Sequence, residues 1–218
     1  MSVSKQASGT AGLLLHRAFT YDLVVWLFTR GGERTFRNKL LELARVETGE
    51  SILDVGCGTG TLAVAARLRV GPSGIVCGID ASPQMVARAT TKARKAGVDV
   101  AFSRAFAQTL PFPDGRFDVV FSTVMLHHLP RPARQQSLNE MRRVLKPQGR
   151  VVAVDFASSR DTSSGHIGRL LAHLHHRRHG HVDPSDLLAL VRDAGFHVIE
   201  SGAVGVGDLH FVLGSPAP

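Results

Sequence analysis

Short runs of apolar residues alternate along this chain with segments in which apolar residues recur at helical spacing. An uninterrupted apolar run of about four to eight residues is typical of a strand buried on both faces of a sheet. On this basis the sequence predicts seven strands: Ser51–Val55, Gly74–Asp80, Val98–Phe102, Phe117–Ser122, Arg150–Phe156, Phe196–Glu200 and Asp208–Leu213. No helix separates the last two strands, which therefore predict a hairpin.

Helical spacing predicts two helices before the first strand and further helices between most of the strands. These helices are Phe19–Phe28, Glu33–Arg45, Thr61–Arg69, one that begins after Ser82, Arg134–Leu145 and Pro184–Ala194. Ser82 is a typical helix cap, and Pro83 suits the first turn that follows it. The expected inward-facing positions are Phe36, Leu40, Leu41 and Ala44 in the second helix, and Met85, Val86 and Ala89 in the fourth.

Strands that alternate with helices predict a parallel sheet with helices on both faces. The hairpin at the end of the chain adds an antiparallel C-terminal strand. The expected fold class is therefore α/β, with a seven-stranded, mostly parallel sheet. A chain of 218 residues, 44% hydrophobic and 20% charged, suits a single domain of this kind.

Composition narrows the expected location and partners. No apolar run is long enough to cross a bilayer, and the polar N-terminus does not resemble a signal peptide, so we expect a cytoplasmic protein. Cys57 and Cys77 are expected to be small buried side chains rather than a disulfide or metal pair. The net charge of +8 is spread over helical segments, and no nucleic-acid-binding motif accompanies it. We therefore expect no nucleic-acid partner.

A glycine-rich loop follows the first predicted strand. Gly56, Gly58 and Gly60 allow tight turns and close approach of a ligand to main-chain N–H groups. The spacing is not that of a dinucleotide fingerprint, because Thr61 stands where the third glycine of that motif would be. Asp80, which ends the second strand, is placed to accept hydrogen bonds from the hydroxyls of a ribose. The two features together predict a nucleoside-binding site at the carboxyl ends of the strands.

An ordered set of motifs resembles a known family. The motifs are Ile52–Gly60, Gly78–Asp80, Leu110–Asp114, Phe117–Val120 and Val144–Pro147 with Gly149, preceded by Tyr21-Asp22 and followed by a weaker echo at Asp193–Phe196. The set is similar to class I S-adenosylmethionine-dependent methyltransferases, and most similar to the type-11 group, which includes the ubiquinone/menaquinone C-methyltransferases. The resemblance implies a Rossmann-like fold and S-adenosylmethionine as the cofactor.

The resemblance also implies roles for individual residues. The methionine end of the cofactor would be framed by Asp54 and by the loop residues Gly56, Cys57, Gly58 and Gly60, with Tyr21 covering it from an N-terminal lid. Asp80 would bind the ribose. The adenine would lie against Ala81, Met85 and Ala107, and the sulfonium against Ser122 and Thr123.

Phe106 departs from the family pattern. Family members commonly carry an aspartate here, near the adenine amino group, whereas the segment in this chain reads Phe106-Ala107-Gln108. A phenylalanine accepts no hydrogen bond, but its ring can pack on adenine. Phe106 is therefore expected to be a cofactor-binding residue of altered chemistry.

His127 is the candidate catalytic residue. It lies with His128 shortly after the fourth strand, close to where a substrate is expected, and an imidazole can act as a general base near neutral pH. The alternative is a structural role, because paired histidines occur here in type-11 sequences of differing activity. Methyl transfer to a good nucleophile needs only proximity and in-line geometry.

The segment from residue 157 to 183 is rich in histidine and arginine. Its basic residues from position 166 to 181 are His166, Arg169, His173, His175, His176, Arg177, Arg178, His179 and His181. His175 and His179 are one helical turn apart, a spacing that can chelate a metal, but no carboxylate or thiol lies among the histidines. We expect no metal, and favour a basic lid with weak affinity for a membrane surface over a solvated helix face.

These observations divide the chain into an N-terminal helical lid (1–48), a cofactor-binding core (49–156), the basic lid segment (157–183) and a C-terminal helix with a strand pair (184–218). The expected function is methyl transfer from S-adenosylmethionine to a small or lipophilic molecule, yielding S-adenosylhomocysteine. One alternative is a nicotinamide-dependent dehydrogenase, which Thr61 and the lack of a Tyr-x-x-x-Lys pair disfavour. The other is a catalytically silent nucleoside-binding protein. The acceptor atom and oligomeric state stay open.

Overall fold

The computed structural model describes residues 33–156, 184–206 and 208–217. The helices of this part are α1 (Glu33–Leu43), α2 (Thr61–Val70), α3 (Pro83–Lys95), α4 (Arg131–Val144) and α5 (Pro184–Asp193), with a 3₁₀ turn at Leu126–His128. The strands are β1 (Ser51–Val55), β2 (Ile75–Asp80), β3 (Ala101–Arg104), β4 (Phe117–Thr123), β5 (Leu145–Phe156), β6 (Phe196–Ala203) and β7 (Leu209–Pro216). None of the described helices is long and apolar enough to cross a membrane.

The seven strands form one sheet in the order β3-β2-β1-β4-β5-β7-β6. Strands β1 to β5 pair in parallel, and β7 runs antiparallel to both β5 and β6. This arrangement confirms the predicted α/β class and its antiparallel C-terminal strand. From β1 the chain builds outward first to β2 and β3 and then, on the other side, to β4 and β5. The reversal opens a crevice at the carboxyl ends of β1 and β4, where open α/β sheets bind ligands.

Each face of the sheet is covered by its own apolar layer. One layer contains α1, α2 and the β-strand residues that face them, and it buries the four positions predicted for α1: Phe36, Leu40, Leu41 and Ala44. The other layer contains α4 and α5, with Leu138, Met141, Leu190 and Val191 fully or almost fully buried. In α3 Met85 and Ala89 are buried as expected, whereas Val86 is half-buried.

Several predicted boundaries differ from the observed ones. The predicted third strand begins at Val98, but the N–H of Val98 instead donates to the Ala93 carbonyl and ends α3, so β3 begins at Ala101. Helix α4 begins at Arg131 rather than Arg134. Strand β5 begins at Leu145, where the chain turns extended directly after the helix. Pro147 is tolerated in β5 because the register with β4 shifts across this stretch, where no ladder bond is required of it.

Candidate functional site

The glycine loop after β1 is a tight turn tied to β2. Gly56, Gly58 and Gly60 have φ angles of 73°, 53° and 75°, in the left-handed region that favours glycine. The N–H groups of Gly56 and Cys57 both donate to the Ile79 carbonyl, each at 2.9 Å. The loop conformation therefore depends on these residues as the sequence predicted.

The space beside two of the glycines is filled by protein. A Cβ on Gly56 would lie 2.4 Å from the Met125 Cγ, and a Cβ on Gly60 would lie 2.7 Å from both the Ala89 Cβ and the Phe102 Cζ. The sequence suggested that these glycines make room for a ligand, but the absence of a side chain also makes room for neighbouring protein. Gly56 makes room for the segment after β4, and Gly60 makes room for α3 and β3.

Asp80 holds the loop and the start of α3 together. Its Oδ2 accepts a hydrogen bond from the Gly58 N–H at 2.9 Å, and its Oδ1 accepts one from the Ser82 N–H at 2.8 Å. Burial raises the pKa of the Asp80 carboxyl, and the two N–H donors oppose that shift. Each carboxylate oxygen can accept more than one hydrogen bond, so the carboxylate retains capacity for ribose hydroxyls.

Asp54 is a buried acid at the carboxyl end of β1. It is 2% exposed and accepts a hydrogen bond from the Ala63 N–H, which caps α2 because Gly60 has no side chain to do so. Burial raises the pKa of Asp54 to about 7; the Arg37 guanidinium opposes this shift, and the Asp80 carboxylate adds to it. The Oδ2 of Asp54 is buried and has no hydrogen-bond partner among the described residues.

Two hydroxyl groups at the end of β4 are also buried without a hydrogen-bond partner among the described residues. The Oγ of Ser122 and the Oγ1 of Thr123 are buried and have no partner among the residues that the structure describes. Ser122 pairs in register with Val55, the last residue of β1. Buried polar atoms are normally hydrogen-bonded, so these oxygens, with that of Asp54, indicate a polar ligand at the switch point.

The expected adenine-side residues differ in exposure. Met85 and Ala107 are buried, and Ala81 is partly buried with its carbonyl accepting a hydrogen bond from the Arg104 Nε. Phe106 is 48% exposed, so it is not a core residue. Its backbone closes a tight turn, in which its carbonyl accepts from the Thr109 N–H at 3.1 Å. The ring is thus presented at the surface on the β3 side of the crevice.

His127 lies in the 3₁₀ turn after β4 and is fixed by Asp155, at the end of β5. The His127 Nδ1 lies 2.7 Å from the Asp155 Oδ1, and the His127 N–H donates to Oδ2 of the same carboxyl at 3.0 Å. The imidazole also contacts the rings of His128 and Phe156. Because a carboxylate can only accept a hydrogen bond, the Nδ1 of His127 carries the hydrogen that it donates to Asp155. In the neutral ring the Nε2 then keeps its lone pair.

Sequence reasoning missed four residues of this region. Asp155 was detectable as the single acid in the apolar run from Val151 to Phe156, and it is fully buried. Lys92 donates to the hydroxyls of Thr59 and Thr61 and so anchors the glycine loop to α3. The other two are Arg37, beside Asp54, and Arg134, in the first turn of α4. Nothing in the local pattern distinguishes these cations from surface ones.

Some expectations fall outside the described residues. They concern Tyr21, the first predicted helix, and the basic residues between positions 157 and 183, so the roles suggested for them stay predictions. Within the described ranges, no group of three or more histidine, cysteine, aspartate or glutamate side chains is arranged to hold a metal ion.

Comparison with known proteins identifies the family of this chain. Residues 52–149 match a family described as a methyltransferase domain. The chain is 38% identical over 136 residues to a demethylmenaquinone methyltransferase of Thermus thermophilus, covering 62% of this chain and 60% of that protein. It is 30% identical over 216 residues to a ubiquinone/menaquinone biosynthesis C-methyltransferase of Escherichia fergusonii, covering 88% and 85%. It spans only 43–62% of the length of the first four curated relatives.

A solved structure shows the same fold. An S-adenosylmethionine-dependent methyltransferase from Aquifex aeolicus superposes with a TM-score of 0.70 at 23% identity, over 91% of this chain and 97% of that one. This chain therefore belongs to the family of class I S-adenosylmethionine-dependent methyltransferases. Within that family it is similar to the ubiquinone/menaquinone C-methyltransferases.

The residues present fit the cofactor of this family. S-adenosylmethionine carries an ammonium group, a carboxylate and two ribose hydroxyls, and the site offers the buried Asp54 oxygen, the Ser122 and Thr123 hydroxyls and the Asp80 carboxylate. Family membership, with Thr61 in place of a third glycine, removes the dehydrogenase alternative.

Proposed function

We propose that this chain transfers a methyl group from S-adenosylmethionine to a small lipophilic acceptor of the reduced-quinone type and releases S-adenosylhomocysteine. The names of the relatives support the substrate class. The observation that carries the proposal is the juxtaposition of two features. The buried oxygens of Asp54, Ser122 and Thr123, which have no partner among the described residues, support a cofactor pocket at the ends of β1 and β4. The His127–Asp155 pair is adjacent to them, because Val154 pairs with Thr123.

The cofactor supplies an electrophilic methyl group on a positively charged sulfur. In this proposal Asp54 binds the ammonium group, Asp80 binds the ribose hydroxyls, and Phe106 packs on the adenine. Ala81, Met85 and Ala107 line the rest of the adenine pocket, and Tyr21 closes the methionine end. The family resemblance and the exposure and hydrogen bonding described above support each of these contacts except that of Tyr21, which the resemblance alone supports.

His127 is the proposed general base. A quinol ring carbon becomes nucleophilic when a ring hydroxyl loses its proton, and the Nε2 of His127 is the atom that accepts it. The Asp155 carboxylate keeps the ring in the tautomer with the lone pair on Nε2, and it stabilises the imidazolium that forms. The Phe156 ring packs edge-on against the imidazole, with 5.2 Å between the ring centroids.

A cytoplasmic location is part of the proposal. Cys57 and Cys77 are both buried free thiols. Free thiols are the usual state of cysteines in a reducing compartment such as the cytoplasm. A weak association of the segment 157–183 with anionic membranes would bring the protein to a lipophilic substrate.

Three experiments test the proposed function. Calorimetry with S-adenosylmethionine, S-adenosylhomocysteine and NAD should show binding of the first two alone. Incubation of labelled S-adenosylmethionine with demethylmenaquinol in detergent micelles should then give methylated quinol by mass spectrometry. Binding without transfer to demethylmenaquinol or other hydroxylated ring acceptors would favour the catalytically silent alternative, for which the departure at Phe106 is the one specific observation.

His127→Gln should abolish transfer and leave cofactor affinity unchanged.

A further inference from the structure

A buried arginine is hydrogen-bonded to the turn that contains His127. Arg134 is 6% exposed. Its Nε donates to the carbonyl oxygens of Leu126 at 3.0 Å and Leu129 at 2.8 Å, and its Nη2 reaches the carbonyl of His127 at 3.4 Å. The Leu126 carbonyl also accepts the turn's own hydrogen bond, from the Leu129 N–H at 2.9 Å. Burying backbone carbonyls is costly unless they are hydrogen-bonded. One side chain therefore serves three carbonyls of the four-residue stretch 126–129.

The same guanidinium faces two acids. The Arg134 Nη1 lies 3.6 Å from the Asp186 Oδ2, in the first turn of α5, and Asp186 also pairs with Arg131 at 2.7 Å. Burial lowers the pKa of Arg134, while Asp155 and Asp186 oppose the shift. Arginine stays charged under these conditions. Arg134 thus lies between the partner of His127 and the helix that follows residues 157–183.

We propose that Arg134 is a positioning residue for His127. By binding the carbonyls of the 126–129 turn, Arg134 fixes the position and orientation of the His127 imidazole. In that orientation the Nδ1 is hydrogen-bonded to Asp155, and the Nε2 points toward the proposed substrate. Asp186 holds the guanidinium in this orientation. The expected effect of Arg134 on kcat rests on the proposed function of His127 as the base. Its expected effect on the orientation of the imidazole does not.

Arg134→Lys is the central test. Lysine keeps the charge but replaces the planar, five-donor fork with a single ammonium, which cannot reach the carbonyls on both sides of the turn. We expect the His127 Nδ1 proton, observed by NMR of histidine-labelled protein as a far-downfield signal, to be lost. With S-adenosylmethionine and demethylmenaquinol, kcat should fall at least tenfold. The affinity for S-adenosylmethionine, measured by calorimetry, should change less than twofold.

Arg131→Gln is the matched control. Arg131 shares Asp186 with Arg134 but is 64% exposed, and no bond from it to the 126–129 turn exists in the described part of the chain. It should leave the NMR signal, kcat and cofactor affinity unchanged. Asp186→Asn keeps Arg134 and removes its counter-charge, so it should lower kcat about three- to fivefold and broaden the His127 signal. This variant decides the question if Arg134→Lys does not fold.

The outcomes separate this inference from the proposed function. A folded Arg134→Lys protein that keeps both the Nδ1 signal and kcat overturns the positioning role, as does an Asp186→Asn protein that matches the wild type in both. Equal losses for Arg131→Gln and Arg134→Lys would also overturn it, since an arginine that makes no bond to the 126–129 turn in the described residues would then matter as much as Arg134. If Arg134→Lys loses the signal while His127→Gln retains full kcat, Arg134 positions His127 but His127 is not the base.

Discussion

At the scale of single residues, the site is built from groups that have two tasks each. Asp80 organises the glycine loop and is proposed to bind the ribose, and Asp54 caps α2 and is proposed to bind the ammonium group. Substitutions at such positions change both folding and binding. Measurements of stability must therefore accompany every measurement of affinity.

Asp80→Ala should weaken S-adenosylmethionine binding by about 1–3 kcal/mol, because ribose hydroxyls lose a charged acceptor. Asp80→Asn is the control: its side-chain oxygen can still accept from one of the two N–H groups that Asp80 now serves, Gly58 or Ser82. Calorimetry on proteins whose thermal melts remain cooperative measures the effect. Unchanged affinity in a folded Asp80→Ala protein would remove this carboxylate from the cofactor site.

Phe106 offers a test of adenine recognition. Phe106→Ala should lower the affinity for S-adenosylmethionine through loss of ring packing, whereas Phe106→Asp should retain or improve it by restoring the family's hydrogen bond. Because the ring is half exposed, neither change should cost much stability. If Phe106→Asp folds normally and binds no cofactor, the assignment of this position to the adenine pocket is wrong.

The raised pKa of Asp54 predicts a pH effect on the unliganded protein. The folded state binds the Asp54 proton more tightly than the unfolded state, whose pKa is near 3.8. Stability should therefore fall as pH rises from about 4 to 7, by up to about 1.4 kcal/mol per pH unit from this group. Denaturation of wild type and Asp54→Asn between pH 5 and 8 measures it, and the variant should lack this component. Parallel pH profiles for the two proteins would contradict the prediction.

At the scale of elements, local sequence patterns were sufficient for the strands and the glycine loop but not for the contacts between elements. The loop and the acids Asp54 and Asp80 are adjacent to strand ends, where topology alone brings them together. Asp155 and Arg134 act on His127 through pairings that depend on how β5 and α4 pack beside β4. Those distances arise from tertiary packing, which no short-range pattern records.

Gly60→Ala should disrupt the packing of the loop against α3 and β3. A left-handed φ and contacts of 2.7 Å with Ala89 and Phe102 both oppose a side chain, for an expected loss of about 2–5 kcal/mol. Gly97→Ala is the matched control, because Gly97 has a similar φ of 68° but nothing within 4 Å of its Cβ position; it should lose about 1–2 kcal/mol. Equal losses in urea denaturation would show that backbone strain alone matters at Gly60.

At the scale of the whole molecule, the net charge of +8 and the basic segment 157–183 predict a pH-dependent surface affinity. A basic lid gains charge as its histidines protonate, so binding to anionic liposomes should strengthen between about pH 7.5 and 5.5, with none to neutral liposomes. A metal site would instead release its ion over that range. Co-sedimentation and metal analysis of the purified protein separate the two, and zinc near one per chain would refute the lid.

The described residues on either side of the basic segment 157–183 have a consequence for how such proteins diversify. The segment starts just after Asp155 and ends just before Asp186, and both residues are bonded to the region around residues 126–134. The described residues on either side of the segment are thus bonded to neighbouring points of the same region. Because the entropic cost of joining two fixed points grows only slowly with the number of residues between them, the segment can be lengthened, shortened or exchanged at little cost to folding. Evolution, or a protein engineer, can therefore replace this segment while His127, Asp155 and Arg134 keep their positions.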